Sequence, residues 1–351
     1  MDFNKNIEDV NLSERKRQIL KAIIEAHIEF GEPVGSKYLS SVDVISCSSA
    51  TIRNEMAELE EMGYLVQPHT SAGRIPTSMG FQFYLKKLMP SGEISDIDKA
   101  FIDNALENIT EIPEKIPAAV GKILSDMTGY PVITCLMTNS EATVKRVELL
   151  RVSRSSLMLL VITNDGRTRN KIVRISADLT PEILQRFNDI VDKKIKRHPI
   201  SELTLGYMQS VIANAGIDAF SLMPLLTAVF QTVSEIDSVS LDLSGMPRLY
   251  DISSNEEAAH RIISLIERRD PIISMFERVG SGVIFGSDSG YNELSNDTLI
   301  AASFNSSDKY RGYIAVLGPK RISFEQIIPS IEYIAEKINN LISEAEKDME
   351  D

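Results

Sequence analysis

The first regular pattern along the chain is an apolar stripe at helical spacing. It follows Ser13, a residue suited to capping a helix N-terminus, and the positions between its members are mostly polar or charged. The stripe consists of Ile19, Leu20, Ile23, Ile24 and Ile28. It predicts an amphipathic helix that ends at Gly31 and Pro33, and Ser36 then predicts the start of a second, shorter helix.

A third helix is predicted to begin after Ser48 or Ser49, since both are good N-cap residues. At about 100° per residue, its large apolar residues share one core-facing side, namely Ile52, Met56 and Leu59. The opposite side is small and polar and carries Ala50, Asn54 and Ala57, with Arg53 at its edge. A DNA recognition helix requires such a side, because small residues allow close approach to the groove, Asn can pair with adenine, and Arg can pair with guanine or phosphate.

The residues after this helix predict a strand, a loop and a second strand. Gly63 is placed to end the helix, residues 64–66 are strand-like, and residues 68–74 form a turn-rich loop. Residues 75–77 return toward a fourth helix. A strand, loop and strand after a third helix form the wing of a winged-helix DNA-binding domain. A Ser-Ser-Ala-Thr run before an amphipathic helix is common by itself, so this continuation is what favours DNA binding.

The candidate DNA contacts come from the helix start, its outer face and the wing. A helix N-terminus rich in hydroxyl groups suits a DNA phosphate. Wing histidine and arginine side chains suit the minor groove or a phosphate, and wing hydroxyls supply neutral bonds to phosphate. The candidates are Ser48, Ser49, Ala50, Thr51, Arg53, Asn54, His69, Thr70, Ser71, Gly73 and Arg74.

The rest of the chain alternates between strand-like and helical segments. A polar linker at 90–98 leads into a helical stretch at 97–128. Strands are predicted at 131–137, 144–152, 157–163, 171–175, 282–285, 299–304 and 312–317, with a hairpin turn at 164–166. Helices are predicted within 181–269 and at 324–345. This order predicts an α+β sheet domain interrupted by a helical insertion.

Charge limits how DNA could be bound. The formal net charge of −13 argues against nonspecific coating of nucleic acid. Residues 1–89 contain ten Lys or Arg and twelve Asp or Glu, a balance of −2 that leaves −11 for the remainder. A DNA site in the nearly neutral N-terminal region must therefore concentrate its few cations in one place.

The remaining chemistry points away from catalysis. Cys47 and Cys135 lie far apart, which favours two small buried hydrophobic residues over a disulfide or zinc site, and the four histidines show no metal-ligand spacing. The glycines at 280–286 lack the spacing of a dinucleotide loop, and no nucleophile or metalloprotease motif is found. We therefore expect no catalytic residues, no cofactor and no metal.

The lack of a long apolar run predicts a cytoplasmic protein with no membrane partner.

Three runs of residues resemble a known family. They are 49–56 (SATIRNEM), 59–65 (LEEMGYL) and 68–77 (PHTSAGRIPT), supported upstream by 12–15 and 33–36. Together they are similar to HrcA, the bacterial heat-inducible transcription repressor family. The resemblance implies a homodimer that binds an inverted-repeat operator in double-stranded DNA, represses chaperone operons, and loses activity on heat stress. It also implies that chaperonin supports folding into the active form.

The resemblance further implies a domain plan. Residues 1–90 would form the winged-helix domain, residues 91–165 and 270–351 a discontinuous GAF-like domain, and residues 166–269 an inserted, mainly helical dimerisation domain. The chain departs from the family at Ala315, Ile322 and residues 286–289, all in the GAF-like part. Two other functions stay open at this point. One is a winged-helix regulator of another regulon that senses a small molecule through the GAF-like domain, and the other is an enzyme with an accessory N-terminal region.

Overall fold

The computed structural model shows a mixed α+β protein, as the sequence predicts. It describes residues 12–42, 47–70, 72–90, 92–107, 109, 113–138, 142–164, 166–175, 180–196, 198–216, 219–236, 239–306 and 310–350. The described residues form an N-terminal unit, a central sheet with helices on both faces, and an insertion between two strands of that sheet.

The N-terminal unit begins with the three helices that the sequence predicts, the first and third from their apolar stripes and the second from Ser36. They are α1 (Glu14–Phe30), α2 (Ser36–Leu39) and α3 (Ser49–Glu61), followed by β1 (Leu65–Val66), β2 (Ile75–Pro76), α4 (Ser78–Phe83) and a π-helical turn at Tyr84–Leu88. The Ser13 hydroxyl accepts a hydrogen bond from the Lys16 amide at 3.4 Å, which caps α1. Gly31, with φ of 75°, ends α1 in the left-handed conformation that glycine adopts most easily.

Five of the described strands form the central antiparallel sheet, in the order β7-β3-β10-β9-β8. They are β3 (Val132–Thr138), β7 (Val239–Ser244), β8 (Gly282–Phe285), β9 (Asp297–Asn305) and β10 (Tyr310–Pro319). One face packs against α6 (Ile116–Thr128) and α14 (Phe324–Glu350), near α5 (Asp96–Leu106). The other face packs against α10 (Met246–Ile252), α11 (Glu256–Glu267) and α12 (Asp270–Val279), and the short α13 (Gly286–Ser289) follows β8. Since both faces are covered, alternate residues of the inner strands enter two different cores.

The insertion lies between Thr138 and Val239 and has a core of its own. Its strands are β4 (Val144–Ser153), β5 (Ser156–Thr163) and β6 (Thr168–Arg174), which pair in that order. Its helices are α7 (Pro181–Ile190), which continues as a π-helical turn at Val191–Ile195, α8 (Leu205–Ala213) and α9 (Ala219–Ser234). The helices cover one face of this second sheet, where Leu157, Leu159 and Val161 are buried.

The structure places the limits of the insertion elsewhere than the sequence predicts. The predicted boundary after residue 165 falls inside the β5–β6 hairpin, where Ile162 pairs with Thr168, so β4 and β5 belong to the insertion. The predicted boundary at 269 lies beyond β7, which pairs with β3 in the central sheet, and beyond α11, which packs in the core of that sheet. Periodicity shows that a segment is a strand, but it does not show which sheet the strand joins.

An aromatic seam joins the N-terminal unit to the central sheet. We use this name for Phe81 of α4, Phe285 at the end of β8 and Phe324 at the start of α14, each at most 1% exposed. The Phe81 ring lies 5.6 Å from the Phe285 ring and 5.8 Å from the Phe324 ring, measured between centroids. Next to the seam the buried Tyr84 hydroxyl donates a 2.8 Å hydrogen bond to Glu325. The seam therefore fixes the orientation of α1–α4 relative to the sheet.

Candidate nucleic-acid interface

Serine and threonine hydroxyl groups form hydrogen bonds at the N-terminus of α3. The Ser48 hydroxyl accepts a hydrogen bond from the Thr51 amide at 3.2 Å and lies 2.9 Å from the Thr51 hydroxyl. The Ser49 hydroxyl lies 3.0 Å from the Ser36 hydroxyl of α2. These side chains therefore cap α3 and join it to α2, whatever else they contact.

The buried and exposed sides of α3 are those predicted from a rotation of about 100° per residue along the helix. Its buried residues are Ile52, Met56 and Leu59, each at most 4% exposed. On the other side Ala50, Arg53 and Asn54 are exposed, and Ala57 is half-buried. The outer side of the helix thus presents two small residues, one amide and one guanidinium group to solvent.

Carboxylates on α3 are neutralised by cations from α1. The Lys16 ammonium lies 2.8 Å from a Glu55 oxygen and 2.7 Å from a Glu58 oxygen, and Arg15 lies 3.5 Å from Glu55. Hydrogen bonds to Glu55, and secondly to Glu58, raise the pKa of Lys16, so this lysine stays charged. Two acidic side chains of α3 are thereby paired on the side that faces α1.

The β1–β2 ribbon is short and is anchored at its return strand. β1 and β2 pair through Leu65 with Pro76 and Val66 with Ile75. Arg74 exchanges two backbone hydrogen bonds of 2.9 Å with Val34, in the segment between α1 and α2. His69 and Thr70 are exposed at the tip, and the candidate Ser71 lies outside the described residues.

The Arg74 side chain is not directed freely into solvent. Its Nε atom lies 2.8 Å from a carboxylate oxygen of Glu60, in the last turn of α3, and the side chain is 17% exposed. The sequence predicts a minor-groove or phosphate contact for this residue. That contact stays a prediction, and the structure adds a carboxylate partner that sequence reasoning missed.

A cleft of about 460 Å³ opens between α2, α3 and the ribbon. It is lined by Gly35, Ser36, Lys37, Arg53, Met56, Gln67, Thr70, Ala72, Gly73 and Arg74. Three of these residues are cationic and none is acidic, so the cleft collects cations that are scattered along the sequence. Lys37 and Gln67 were missed by the sequence prediction. The signal for Lys37 was its place beside Ser36, at the start of the second helix.

The two cysteines are placed differently. Cys135 is buried in the central sheet, where burial raises the pKa of its thiol to about 12, so it behaves as the predicted buried hydrophobic residue. Cys47, before α3, is only half-buried.

Within the described part of the chain there is no group of three or more His, Cys, Asp or Glu able to hold a metal ion. The same residues include no helix that is long and apolar enough to cross a membrane.

Comparison with known proteins assigns the family. Residues 114–328 match the family described as HrcA protein C terminal domain. Over 338 residues the chain is 31% identical to the heat-inducible transcription repressor HrcA of Acetivibrio thermocellus, covering 93% of this chain and 95% of that protein. The chain belongs to the HrcA family. An HrcA of Clostridioides difficile strain 630 is 30% identical over 341 residues, covering 94% of this chain and 99% of its own length.

A solved structure shares the fold of this HrcA-family chain. It is described as a hypothetical protein at 2.2 Å resolution, has 23% sequence identity and a TM-score of 0.62, and covers 95% of this chain and 100% of its own. The curated relatives of this chain are named heat-inducible transcription repressors and not enzymes. The resemblance read from the three sequence runs is therefore confirmed.

Gly73 is the position where the ribbon passes closest to the α1–α2 segment, and its replacement tests this anchor. A Cβ atom at Gly73 would lie 2.3 Å from the Val34 carbonyl oxygen, whereas one at Gly35 would meet nothing within 4 Å. We expect Gly73→Ala to lower the free energy of unfolding of the N-terminal unit by roughly 1–3 kcal/mol through overpacking. Amide hydrogen exchange at Val34 and Arg74 measures the effect, and Gly35→Ala is the matched control. Equal protection in both variants would contradict the anchor.

Proposed function

We propose that this chain is a dimeric repressor that binds an inverted-repeat operator in double-stranded DNA through α3 and the β1–β2 ribbon. The observation that supports this most directly is the cationic cleft, which joins Lys37 and Arg53 beside the exposed side of α3. The order of α1–α3 and the ribbon suits a winged-helix domain in which α3 reads the major groove. The names of the curated relatives agree with repression of transcription.

The residues of α3 divide into two roles in this proposal. Arg53 and Asn54 carry the hydrogen-bonding groups that can read base edges, and Ala50 leaves room for close approach. Lys37 and the helix N-terminus face the phosphates that position the duplex. Because Glu55 and Glu58 are paired with Lys16, they repel the duplex less than free carboxylates would.

The central test is operator binding by Arg53→Ala. A bidentate contact from Arg53 to a guanine would make this variant weaker by about 1–3 kcal/mol, or roughly fivefold to 150-fold in Kd. Fluorescence anisotropy at one fixed salt concentration compares an inverted-repeat duplex from a chaperone operon with a scrambled duplex. Lys122→Ala, which removes an exposed cation from α6, is the control and should bind as the wild type does.

The two ways in which this test can fail are distinct. A wild-type protein with no preference for the inverted repeat would overturn the proposed function. A wild type with that preference, together with unchanged binding by Arg53→Ala, would show that α3 does not read the bases through this residue.

The insertion offers an interface for the dimer. On the face of its sheet away from α7–α9, Leu150, Met158 and Ile172 form a cross-strand row, and Leu160 and Ile162 extend it. Leu150 is 48% exposed and Ile172 is 62% exposed. The solvated face of an antiparallel sheet is normally polar, so an apolar row of this kind, flanked by Arg146, Glu148 and Asn170, suits a second copy of the chain. Two-fold pairing would present two copies of α3 to the two halves of an inverted repeat.

Replacement of Leu150 tests the dimer. Leu150→Asp places a charge on the proposed interface, and since the side chain is already half exposed the monomer should still fold. We expect sedimentation velocity to show a shift from dimer to monomer and operator binding to weaken at least tenfold. Phe220→Asp on α9, where the side chain is 80% exposed on another surface, is the control. A dimer that resists Leu150→Asp but dissociates with Phe220→Asp would place the interface on α9 instead.

Regulation by heat follows from marginal stability of the active dimer in the cytoplasm. Heating lowers the population of the folded dimer, and a chaperonin sets how quickly it is restored. We expect operator binding to fall on heating and to return faster on cooling when chaperonin and ATP are present. Gel shifts across a heating and cooling cycle measure this. Full recovery at the same rate without chaperonin would contradict the chaperonin part of the proposal.

A further inference from the structure

Glu60 connects α3 to both ends of the ribbon loop. One carboxylate oxygen lies 2.8 Å from the Nε atom of Arg74, where the chain returns to β2. The other oxygen accepts a hydrogen bond of 3.1 Å from the backbone amide of Gln67, where the chain leaves β1. A single side chain of the helix therefore holds both ends of the loop.

Gln67 carries this connection to the tip of the loop. Its side-chain amide donates hydrogen bonds to the backbone carbonyl oxygens of Thr70 at 3.1 Å and Ala72 at 3.0 Å. Among the residues that the structure describes, the ribbon has only the two residue pairs given above, and short two-stranded hairpins are marginally stable by themselves. The position of the loop relative to α3 thus depends on the backbone pair between Arg74 and Val34 and on side-chain contacts that start at Glu60.

The contact between Glu60 and Arg74 also neutralises the negative charge at the C-terminal end of α3. Glu60 is 33% exposed, beside a cleft proposed to take a polyanion, and an unpaired carboxylate there would repel phosphate. Arg74 neutralises it. Because the positive charge of Arg74 is partly compensated by Glu60, its attraction to a DNA phosphate is weaker than that of an unpaired arginine. Arg74 therefore has two possible roles, as the partner of Glu60 or as a phosphate contact.

We propose that Glu60 is a positioning residue that fixes the ribbon against α3, and that Arg74 acts through Glu60 instead of binding a DNA phosphate. This rests on the proposed function and deepens it. It also changes the role that the sequence predicts for Arg74.

A double-mutant cycle separates the two roles. The proteins are the wild type, Glu60→Ala, Arg74→Ala and the double variant, measured on operator and scrambled duplexes over a range of salt concentrations. A positioning pair predicts that each single variant loses about fivefold to thirtyfold of its preference for the operator. The double variant should lose no more than Glu60→Ala alone, because the contact through which Arg74 acts is already removed in that variant. The slope of log K against log salt should be unchanged in Arg74→Ala.

A phosphate contact predicts a different set of results. Arg74→Ala would then weaken binding to both duplexes about equally and reduce the salt slope by about one, while Glu60→Ala would leave the preference for the operator intact. That outcome would overturn the proposal. Glu61→Ala, which removes an exposed carboxylate from the next position of α3, controls for the change in charge alone. Glu60→Gln keeps an acceptor for the Gln67 amide and guards against loss of folding in Glu60→Ala.

A measurement without DNA keeps this test independent of the proposed function. Amide hydrogen exchange of residues 67, 69, 70, 72 and 73 should be faster in Glu60→Ala and in Arg74→Ala, and unchanged in Glu61→Ala. Unchanged exchange in both of the first two variants would overturn the positioning role even if operator binding is confirmed. If the wild type shows no operator preference but exchange responds as expected, the proposed function fails and the positioning of the ribbon stands.

Discussion

The position of α3 depends on the aromatic seam formed by Phe81, Phe285 and Phe324. These rings come from three elements that are far apart in the chain and are almost fully buried together. Burial of large aromatic side chains provides much of the energy that joins packed units. Because α4 carries Phe81 and follows directly after β2, the seam transmits the orientation of the central sheet to the ribbon and to α3. Any pairing of two chains would then set the distance between their two copies of α3.

The insertion is built so that such pairing need not disturb the central sheet. The chain leaves the sheet at the end of β3 and returns at β7, and the residues between form a separate hydrophobic core. One face of the inserted sheet is covered by its own helices, and the other carries the apolar row of Leu150, Met158 and Ile172. A surface of this kind can be occupied by a second chain without any change in the strands that hold the seam.

An acidic chain can offer a cationic surface when its carboxylates are paired. Although the formal net charge is −13, the cleft beside α3 is lined by the cations Lys37 and Arg53, by Arg74 in its pair with Glu60, and by no acidic residue. Lys16 and Arg74 supply this pairing for the carboxylates of α3, from α1 and from the ribbon respectively. Local pairing of this kind matters more to a binding surface than net charge does, because exposed charges are screened beyond about 10 Å.

Helical periodicity in the sequence determined α1 and α3 and the inward side of α3, because 3.6-residue spacing is a local property of the chain. It also determined which residues lie on the outer side of α3, and the HrcA resemblance determined the family. Only the tertiary structure decided the limits of the insertion and the partners of β7, because strand pairing joins residues that are distant in sequence. It alone decided that Lys37 joins Arg53 in one cleft and that Arg74 meets Glu60. Such contacts depend on the distance between side chains in space, which the order of residues does not record.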